Sequence, residues 1–368
     1  MEKCLDAGKL ESFTVTHPLV EYHYTLYYYD QAGNLIKTVP PEGVHHIRRD
    51  TWMDSVKLAR EQGEVLTPAH TLATTYRYNS LNQVISQHSP DGGLSKFWYD
   101  RLGRLVVSQN AQQRIDGNYS YTLYDQLGRI TEVGQKKQTT EITQSITRDR
   151  ASLESWLSYT YTLEGITVKS EQVTATVYDK RDEVLPASAS GLHTVITAGF
   201  QKPYTLRNRV SYTRYYDKLK WNGTALLYED YDNGSNYSYD IHGNVDTLVH
   251  HYRVGVMQQH GHNQFKAITY KYDLVSGKVN EVHYQPGMAD QFYHRYEYDA
   301  ENKLTDVYTT DVKALLGIAT LEEHEARYTY YKHGPLARTV LGQQQSLPAE
   351  GGYRGSTMRI TCRDGSKE

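Results

Sequence analysis

The side chains most capable of chemistry are the histidines, and of the 16 in this chain His250, His251, His260 and His262 are the most tightly grouped. In an extended strand His260 and His262 share one face. Zinc, however, needs three or four ligands converging from fixed elements. Nothing in the sequence fixes such partners, so solvated strand and turn histidines are expected, and no metal site. The acidic run EDYDNGSN, Glu229 to Asn236, has the oxygen-rich look of a calcium loop. With Asp230 in first place its Gly234 falls fifth, where such a loop needs glycine sixth. Asn233-Gly234 instead predicts a hairpin turn. No Gly-x-Ser-x-Gly elbow, His-Glu-x-x-His pair, Walker A loop or Gly-x-Gly-x-x-Gly fingerprint occurs, so nucleophilic, zinc-hydrolytic and nucleotide chemistry lack their usual support. Carboxylate pairs for glycoside hydrolysis are defined in space, but the aspartates here sit at turn positions, and a carboxylate already engaged by backbone N–H groups is a poor general acid. The expectation is no catalytic residue and no cofactor. Tyrosine interleaved with arginine, TLRNRVSYTRYYDK at Thr205 to Lys218, could stack bases or sugars or pack as cation–π neighbours across ring ladders. Lys+Arg 40 against Asp+Glu 43 leaves a formal charge of -3, which argues against nucleic acid and leaves a carbohydrate surface open.

The aspartates belong to a repeated unit, and a repeat decides the fold before any local pattern does. The unit is a tyrosine pair at i and i+2, then Asp, two variable residues, Gly, a polar residue and an aliphatic one. It reads YYYDQAGNL from Tyr27, FWYDRLGRL from Phe97, LYDQLGRI from Leu123, YSYDIHGNV from Tyr237 and, with one residue inserted, YKYDLVSGKV from Tyr270. Weaker copies are YRYNSLNQV at Tyr76, YEYDAENKL at Tyr296, VYDKRDEV near Tyr178 and YTYYKHGPL at Tyr328. Asn79 to Asp100 is 21 residues, Asp100 to Asp125 is 25, Asp240 to Asp273 is 33 and Asp273 to Asp299 is 26, a looseness expected of hairpins with unequal loops.

Each part of the unit has a reason in a β-hairpin. Residues at i and i+2 of a strand point to one face, so Tyr27 with Tyr29, Tyr76 with Tyr78, Tyr237 with Tyr239, Tyr270 with Tyr272, and Tyr296 with Tyr298 place two rings side by side. Tyr99 and Tyr124 occupy the second ring position in their copies. The Asp that leaves the strand (Asp30, Asp100, Asp125, Asp240, Asp273, Asp299) can accept hydrogen bonds from main-chain N–H groups two residues on. The glycine that follows (Gly33, Gly103, Gly128, Gly243, Gly277) supplies the left-handed conformation that closes a short loop. Where glycine is lost it becomes Asn82 or Asn302, the residue type that tolerates positive φ next best. Many short strands with such turns predict an all-β fold of repetitive antiparallel hairpins stacked into a curved or spiral sheet. Tyr 34 against Phe 5, with 38% hydrophobic residues, predicts a core in which phenol rings supply much of the apolar area.

This YxYDxxGRL type of unit resembles the RHS or YD repeat family, found in bacterial RHS toxins, in the shell-forming subunits of insecticidal toxin complexes and in the teneurin ectodomain. The resemblance covers roughly Tyr22 to Leu341. It implies strands wound into part of a hollow shell around a toxin or other polypeptide cargo, with adjoining shell segments and the enclosed polypeptide as partners, and a secreted or cell-surface location. Bacterial members usually end their repeats in an Asp-Pro-x-Gly core that cleaves itself; no Asp-Pro dipeptide occurs among the ten prolines here, so self-cleavage is not expected. The chain leaves little room for a toxin domain before Glu368 and reads as a piece of a longer shell. The rival expectation is a cell-surface glycan- or protein-binding module using exposed tyrosines.

Residues 1–21 read as an irregular lead-in and 22–341 as the repeat array. A helical insertion is expected at about 51–62, where Trp52, Val56 and Ala59 take helical spacing after Pro40-Pro41. A second insertion, 311–325, is expected as a helix or a long hairpin tip. Residues 131–235 look like strands whose turns have decayed, and 342–368 like a disordered or non-repeat tail. No run of about eighteen apolar residues exists for a membrane span, and Glu2, Asp6 and Glu11 interrupt any signal-peptide pattern. Cys4 and Cys362 stand alone near the two ends, so neither a disulfide framework nor a cysteine zinc site is expected.

Overall fold

The computed structural model describes residues 23–45, 50–182, 200–253, 264–313, 316–317, 322–343 and 359–360. The described residues are all-β with short helices, and every strand pair is antiparallel. The chain divides into two compact units, residues 1–119 with 142–149, and residues 120–141 with 150–368.

The first unit is a meander. Strands β1 (Leu26–Tyr29), β2 (Leu35–Val39), β3 (Thr74–Tyr78), β4 (Val84–Ser89), β5 (Gly93–Tyr99) and β6 (Leu105–Gln109) each pair with the next. Helix α1 (Asp50–Glu61) fills the insertion between β2 and β3. The sequence points to one helix and leaves a second open at 311–325; the structure has others elsewhere. Helix α2 (Ala111–Asp116) is held by a reciprocal cap between Asn110 and Gln113 and ends on Gly117 at φ 71°, the local chemistry that starts and stops a helix. Helix α3 (Gln144–Arg148) is fixed from outside: Gln144 Nε2 and Thr147 Oγ1 donate to the Tyr99 carbonyl at 2.7 and 3.0 Å.

The boundary between the units falls within β7 (Asn118–Tyr124). The second unit continues with β8 (Ile130–Lys137), helix α4 (Arg150–Leu157), β9 (Tyr161–Leu163), β10 (Ile166–Tyr178), the single-turn α5 (Pro203–Leu206) and β11 (Val210–Lys220). The repeats then resume as β12 (Asn233–Tyr239), β13 (Val245–Tyr252), β14 (Phe265–Tyr272), β15 (Val279–Tyr284), β16 (Phe292–Tyr298), β17 (Leu304–Thr310), β18 (Glu323–Tyr330), β19 (Leu336–Gln343) and β20 (Arg359–Ile360). From β10 to β20 each strand pairs with its successor. The long β10 also takes β8 and β9 along its other edge. Glu323–Glu325 of the second expected insertion lie in β18. Within the expected tail, Arg359 and Ile360 pair with Val340 and Thr339.

One reading needs correction and a second is refined. Asn233-Gly234 is not a hairpin turn; it begins β12, with Asn233 opposite Tyr215 and Gly234 opposite Arg214 on β11. A Cβ on Gly234 would lie 2.6 Å from Arg214 Nη1, so the glycine is there for close approach. The second refines the core: phenol rings are part of it, but not those of the paired repeat tyrosines. Its buried rings are Tyr119, Tyr121, Tyr216, Tyr231, Tyr293 and Tyr308, together with valines such as Val39, Val107, Val168 and Val173. The paired repeat tyrosines Tyr237, Tyr239, Tyr270, Tyr272, Tyr296 and Tyr298 are half-buried, and Tyr27 and Tyr29 are exposed at 56% and 59%. For Tyr239, Tyr272 and Tyr298 the half-buried position suits what their hydroxyls do.

Candidate functional site

The repeat unit folds as one device used again and again. The Asp N–H donates to the carbonyl four residues on: Asp30 to Asn34, Asp100 to Arg104, Asp125 to Arg129, Asp240 to Asn244 and Asp299 to Lys303, each at 2.9 Å. The Asp Oδ1 accepts the N–H groups at +2 and +4, as in Asp30 with Ala32 and Asn34 at 2.9 and 2.8 Å, Asp100 with Leu102 and Arg104, and Asp125 with Leu127 and Arg129. Asn79 does the same with Leu81 and Gln83. The residue before the Asp shifts register, between Tyr28 and Tyr29, Trp98 and Tyr99, or Lys271 and Tyr272, and the +3 residue is left-handed. Gly33, Gly103, Gly128 and Gly243 have φ 83°, 76°, 82° and 98°, and Asn82 and Asn302 have 57° and 63°. Asp273, with its inserted residue, places Gly277 at φ 68°. This is the bulge-closed hairpin loop. The Asn34 side-chain amide, followed by main-chain N–H groups, holds the Asp30 carboxyl below its ordinary range, and the Ser276 N–H does the same for Asp273.

The second tyrosine of the pair joins one repeat to the one before. Its hydroxyl donates to the main-chain carbonyl of the aliphatic residue that opens the preceding return strand. Tyr78 reaches Leu35 at 2.8 Å, Tyr99 reaches Val84 at 2.7 Å, and Tyr178 reaches Ile130 at 2.8 Å. Tyr239 reaches Val210 and Tyr298 reaches Val279, both at 2.8 Å, while Tyr272 reaches Val245 and Tyr330 reaches Leu304, both at 2.9 Å. The staple survives at Tyr178, where the turn has decayed and Asp179 itself is left-handed at φ 65°. Burial pushes the phenols of Tyr78, Tyr99, Tyr178, Tyr239, Tyr272 and Tyr298 above their ordinary value, so they stay protonated donors at neutral pH. The sequence placed these tyrosines; it did not show the hydroxyl's partner.

The TLRNRVSYTRYYDK segment builds something different. On β10 and β11, Ala175 faces Arg214 and Val177 faces Tyr212, so these residues share one face of the sheet with Tyr216. Tyr178, the Asp125–Arg129 turn and the segment carrying Tyr228, Glu229 and Tyr231 complete a cavity of about 520 Å³. Arg214 is buried and paired with Asp182, gives Nη1 to Asn236 Oδ1 at 3.0 Å, and lies 4.6 Å from the Tyr212 ring and 4.4 Å from the Tyr231 ring. Asn236 Nδ2 donates to Asp182 Oδ2 at 2.6 Å. Arg129 bonds Asp125 at 2.7 Å and Asp179 at 2.8 Å and sits 4.3 Å over Tyr178. The Arg129 Nη1 atom is buried with no hydrogen-bond partner among the described residues. Asp125, Asp182 and Glu229 balance Arg129, Lys180 and Arg214 along the lining.

Of the grouped histidines, His250 Nδ1 bonds Ser235 Oγ at 2.9 Å. His251 is buried, stacked on Phe265 at 4.0 Å and 14°. His260 and His262 lie outside the described residues. Among the described residues no group of three His, Cys, Asp or Glu side chains is placed to hold a metal. Sequence reasoning missed Lys136, which is buried on β8 and donates to the carbonyls of Tyr159 and Lys169; burial pulls its ammonium down to about 7. It also missed the neighbouring buried bond from Tyr121 to Glu132 at 2.6 Å. Glu132, Gly134 and Lys136 alternate as a solvated strand face would, so the sequence carried no signal for either.

The fold and these sites define an all-β protein of repetitive, turn-locked hairpins. No family model matches the chain, and no curated protein matches it. Among solved structures it is similar to the crystal structure of TcdB2-TccC3, at 13% identity over 86% of this chain and 12% of that chain, with a TM-score of 0.47. The same figures hold for the crystal structure of TcdB2-TccC3-Cdc42. It is also similar to the Photorhabdus luminescens Tc holotoxin pore, at 13% identity over 86% of this chain and 12% of that chain, with a TM-score of 0.43. The chain thus spans about 12% of the length of the structures it matches. No helix among the described residues is long and apolar enough to cross a membrane.

Proposed function

We propose that this chain is a non-catalytic wall segment of an RHS/YD-type shell, secreted or at a cell surface, that surrounds a toxin or other polypeptide cargo. The observation that supports this reading is the hydroxyl staple that joins seven of the repeats to the one before, as in Tyr272 to Val245 and Tyr298 to Val279. A protein that needs only a compact core has no use for it. A wall that grows one hairpin at a time needs each new hairpin fixed to the last, because neighbouring repeats supply most of its stability. The turn tips carry aliphatic side chains that stand exposed: Leu81, Leu102 and Leu127 at 61%, 76% and 70%, and Ile241 and Val275 at 81% and 96%. Such apolar points are where adjoining shell segments or cargo would seat. The test extends the chain along its coding frame and digests the purified product with protease. A following segment that resists cleavage only while the repeat array stays folded supports the shell. A following segment cut equally fast before and after denaturation, or a frame that encodes none, would sink it.

A second reading, carbohydrate recognition, is favoured by the tyrosine-lined cavity. Its charges are mutually balanced and five of its lining residues are tyrosines, which suits an uncharged ring with one apolar face and a hydroxyl rim. Tyr228 is half-exposed there. Saturable binding of a methyl pyranoside, weakened about tenfold by Tyr228→Ala, would support recognition; no binding at high millimolar sugar would remove it.

A further inference from the structure

The segment between β11 and β12, Trp221 to Asp232, roofs the cavity with Tyr228 and Tyr231 and is tied to the strands on either side: Lys220 reaches Asp230, the Arg253 guanidinium reaches the Glu229 and Tyr231 carbonyls, and Tyr231 packs with Val173, Tyr216 and Leu219. Main-chain bonds run from Leu227 to Lys220, Asp232 to Tyr215 and Arg253 to Asp232. The Tyr216 hydroxyl donates to the Tyr228 carbonyl at 2.7 Å. At its inner end the Tyr231 hydroxyl lies 2.7 Å from His251 Nδ1, with both residues buried. We propose that the Tyr231–His251 contact is an acid-released latch that holds this roof closed over the cavity at neutral pH and lets it open as the imidazole is protonated.

The surroundings of His251 favour its neutral form on balance: burial, Arg253 and Arg214 oppose the charge and outweigh Gln264 and Asp182, which favour it. With its proton on Nε2, a neutral imidazole accepts the phenol proton at Nδ1; an imidazolium can only donate there, so the bond must reverse and release rests on where the new charge is placed. The charge would be badly placed. Tyr231 already lies between two guanidiniums, Arg214 at 4.4 Å and Arg253 at 5.0 Å from its ring. Among the described residues, the groups that face His251 are Arg214 on β11, Gly234 opposite it on β12, Phe265 stacked on it from β14, Gln264, Arg253, Tyr231 and one carboxylate, Asp182. Asp182 is committed to Arg214 and Asn236, and Asp230 lies out at 4.0 Å from Arg253. A third cation therefore enters a site with one spoken-for anion, against the stacked Phe265 ring. Opening the roof gives His251 water and separates Tyr231 from both arginines. Burial, the largest cause, brings His251 down to about 4 from its ordinary 6.5. A depressed histidine supports the closed form above pH 6.5 and withdraws that support as pH falls toward 4.

The test is amide hydrogen exchange of the chain at Leu227, Asp230, Asp232 and Arg253, read by NMR at pH 7.5 and 5.0 and corrected for intrinsic exchange. If His251 titrates normally once open, the opening equilibrium rises roughly thirtyfold between these pH values, while the turn amides of Asp240 and Asp299 do not change. In His251→Gln, which keeps a neutral acceptor, the rise disappears. Unchanged protection in the natural chain, or an equal rise in His251→Gln, overturns the latch. The imidazole titration of His251 in the natural chain decides the matter even where the variant fails to fold: an apparent pKa at or above 6.5 excludes the latch, and one well below it supports it.

Discussion

One oxygen atom separates tyrosine from phenylalanine, and at seven of the 34 tyrosines that atom donates to a main-chain carbonyl of the repeat before. Tyr272→Phe keeps the ring and removes only the donor to the Val245 carbonyl at 2.9 Å. The expected cost is about 1 kcal/mol, measured by urea unfolding, whereas Tyr27→Phe, at a ring 56% exposed, should stay within about 0.5 kcal/mol. Glycines divide into two kinds. Nothing lies within 4 Å of a Cβ on Gly33, so Gly33→Ala isolates the left-handed backbone and should cost about 1 to 2 kcal/mol. Gly234→Ala drives a methyl into Arg214, which Asp182 and Asn236 hold in place, and should cost about 1 to 3 kcal/mol through overpacking. The turn aspartates were legible in the sequence because their partners lie two to four residues away. Gly234, Lys136 and His251 were not, because what decides them comes from other strands: Arg214 beside Gly234, the Tyr159 and Lys169 carbonyls on Lys136, and Phe265 under His251. At Asn233-Gly234 the local rule was overruled by an arginine twenty residues upstream.

At the scale of the element, the hairpin is closed by its own Asp and fastened to its predecessor by its own tyrosine, so each repeat answers mainly to its neighbours. Asp240 shows the weight of a turn: its Oδ1 accepts from the N–H groups of His242, Gly243 and Asn244 at 2.8, 2.7 and 2.9 Å, and its Oδ2 from Asn244 Nδ2 at 2.9 Å. Asp240→Ala should cost about 2 kcal/mol, and native-state hydrogen exchange should show faster opening in β12 and β13 with little change in β18 and β19. A uniform loss of protection across all these strands would mean that the array behaves as one cooperative block. Hairpins with an intact unit could be read directly, because strand alternation and turn chemistry agree. The short helices could not. Helix α3 hangs on the Tyr99 carbonyl, and α4 is pinned by Trp156, whose Nε1 donates to Thr140 at 3.0 Å and whose carbonyl accepts from Gln138 at 2.6 Å. Isolated helices of this length are unstable in water, so their existence depends on contacts that no local pattern announces. The Asn110 cap with Gly117 is the exception, and its spacing was there to be read.

Repeating one staple through the whole molecule turns a local ionisation into a global property. The stapling phenols Tyr78, Tyr99, Tyr178, Tyr239, Tyr272 and Tyr298 are all pushed above the ordinary 10.0 by burial. In the unfolded chain the same groups lose their protons at about 10. A group whose folded pKa is raised supports folding fully below the unfolded value and gives that support up as pH climbs toward the folded one, because the unfolded state then holds fewer protons. Ionisation also converts each staple from a donor into an anion facing a carbonyl oxygen, so the bond is replaced by repulsion. Unfolding free energy measured by urea titration should therefore be level from about pH 8 to 9.5 and fall steeply beyond about pH 10.5. Several equivalent phenols acting together make that limb steeper than one proton can explain. Replacing three of the stapling tyrosines by phenylalanine should lower stability at pH 8 and flatten the alkaline limb at the same time. A triple variant that lost stability at pH 8 yet kept the full steepness above pH 10.5 would locate the alkaline sensitivity in the buried rings such as Tyr216 and Tyr293, whose phenols burial also raises, and not in the staples.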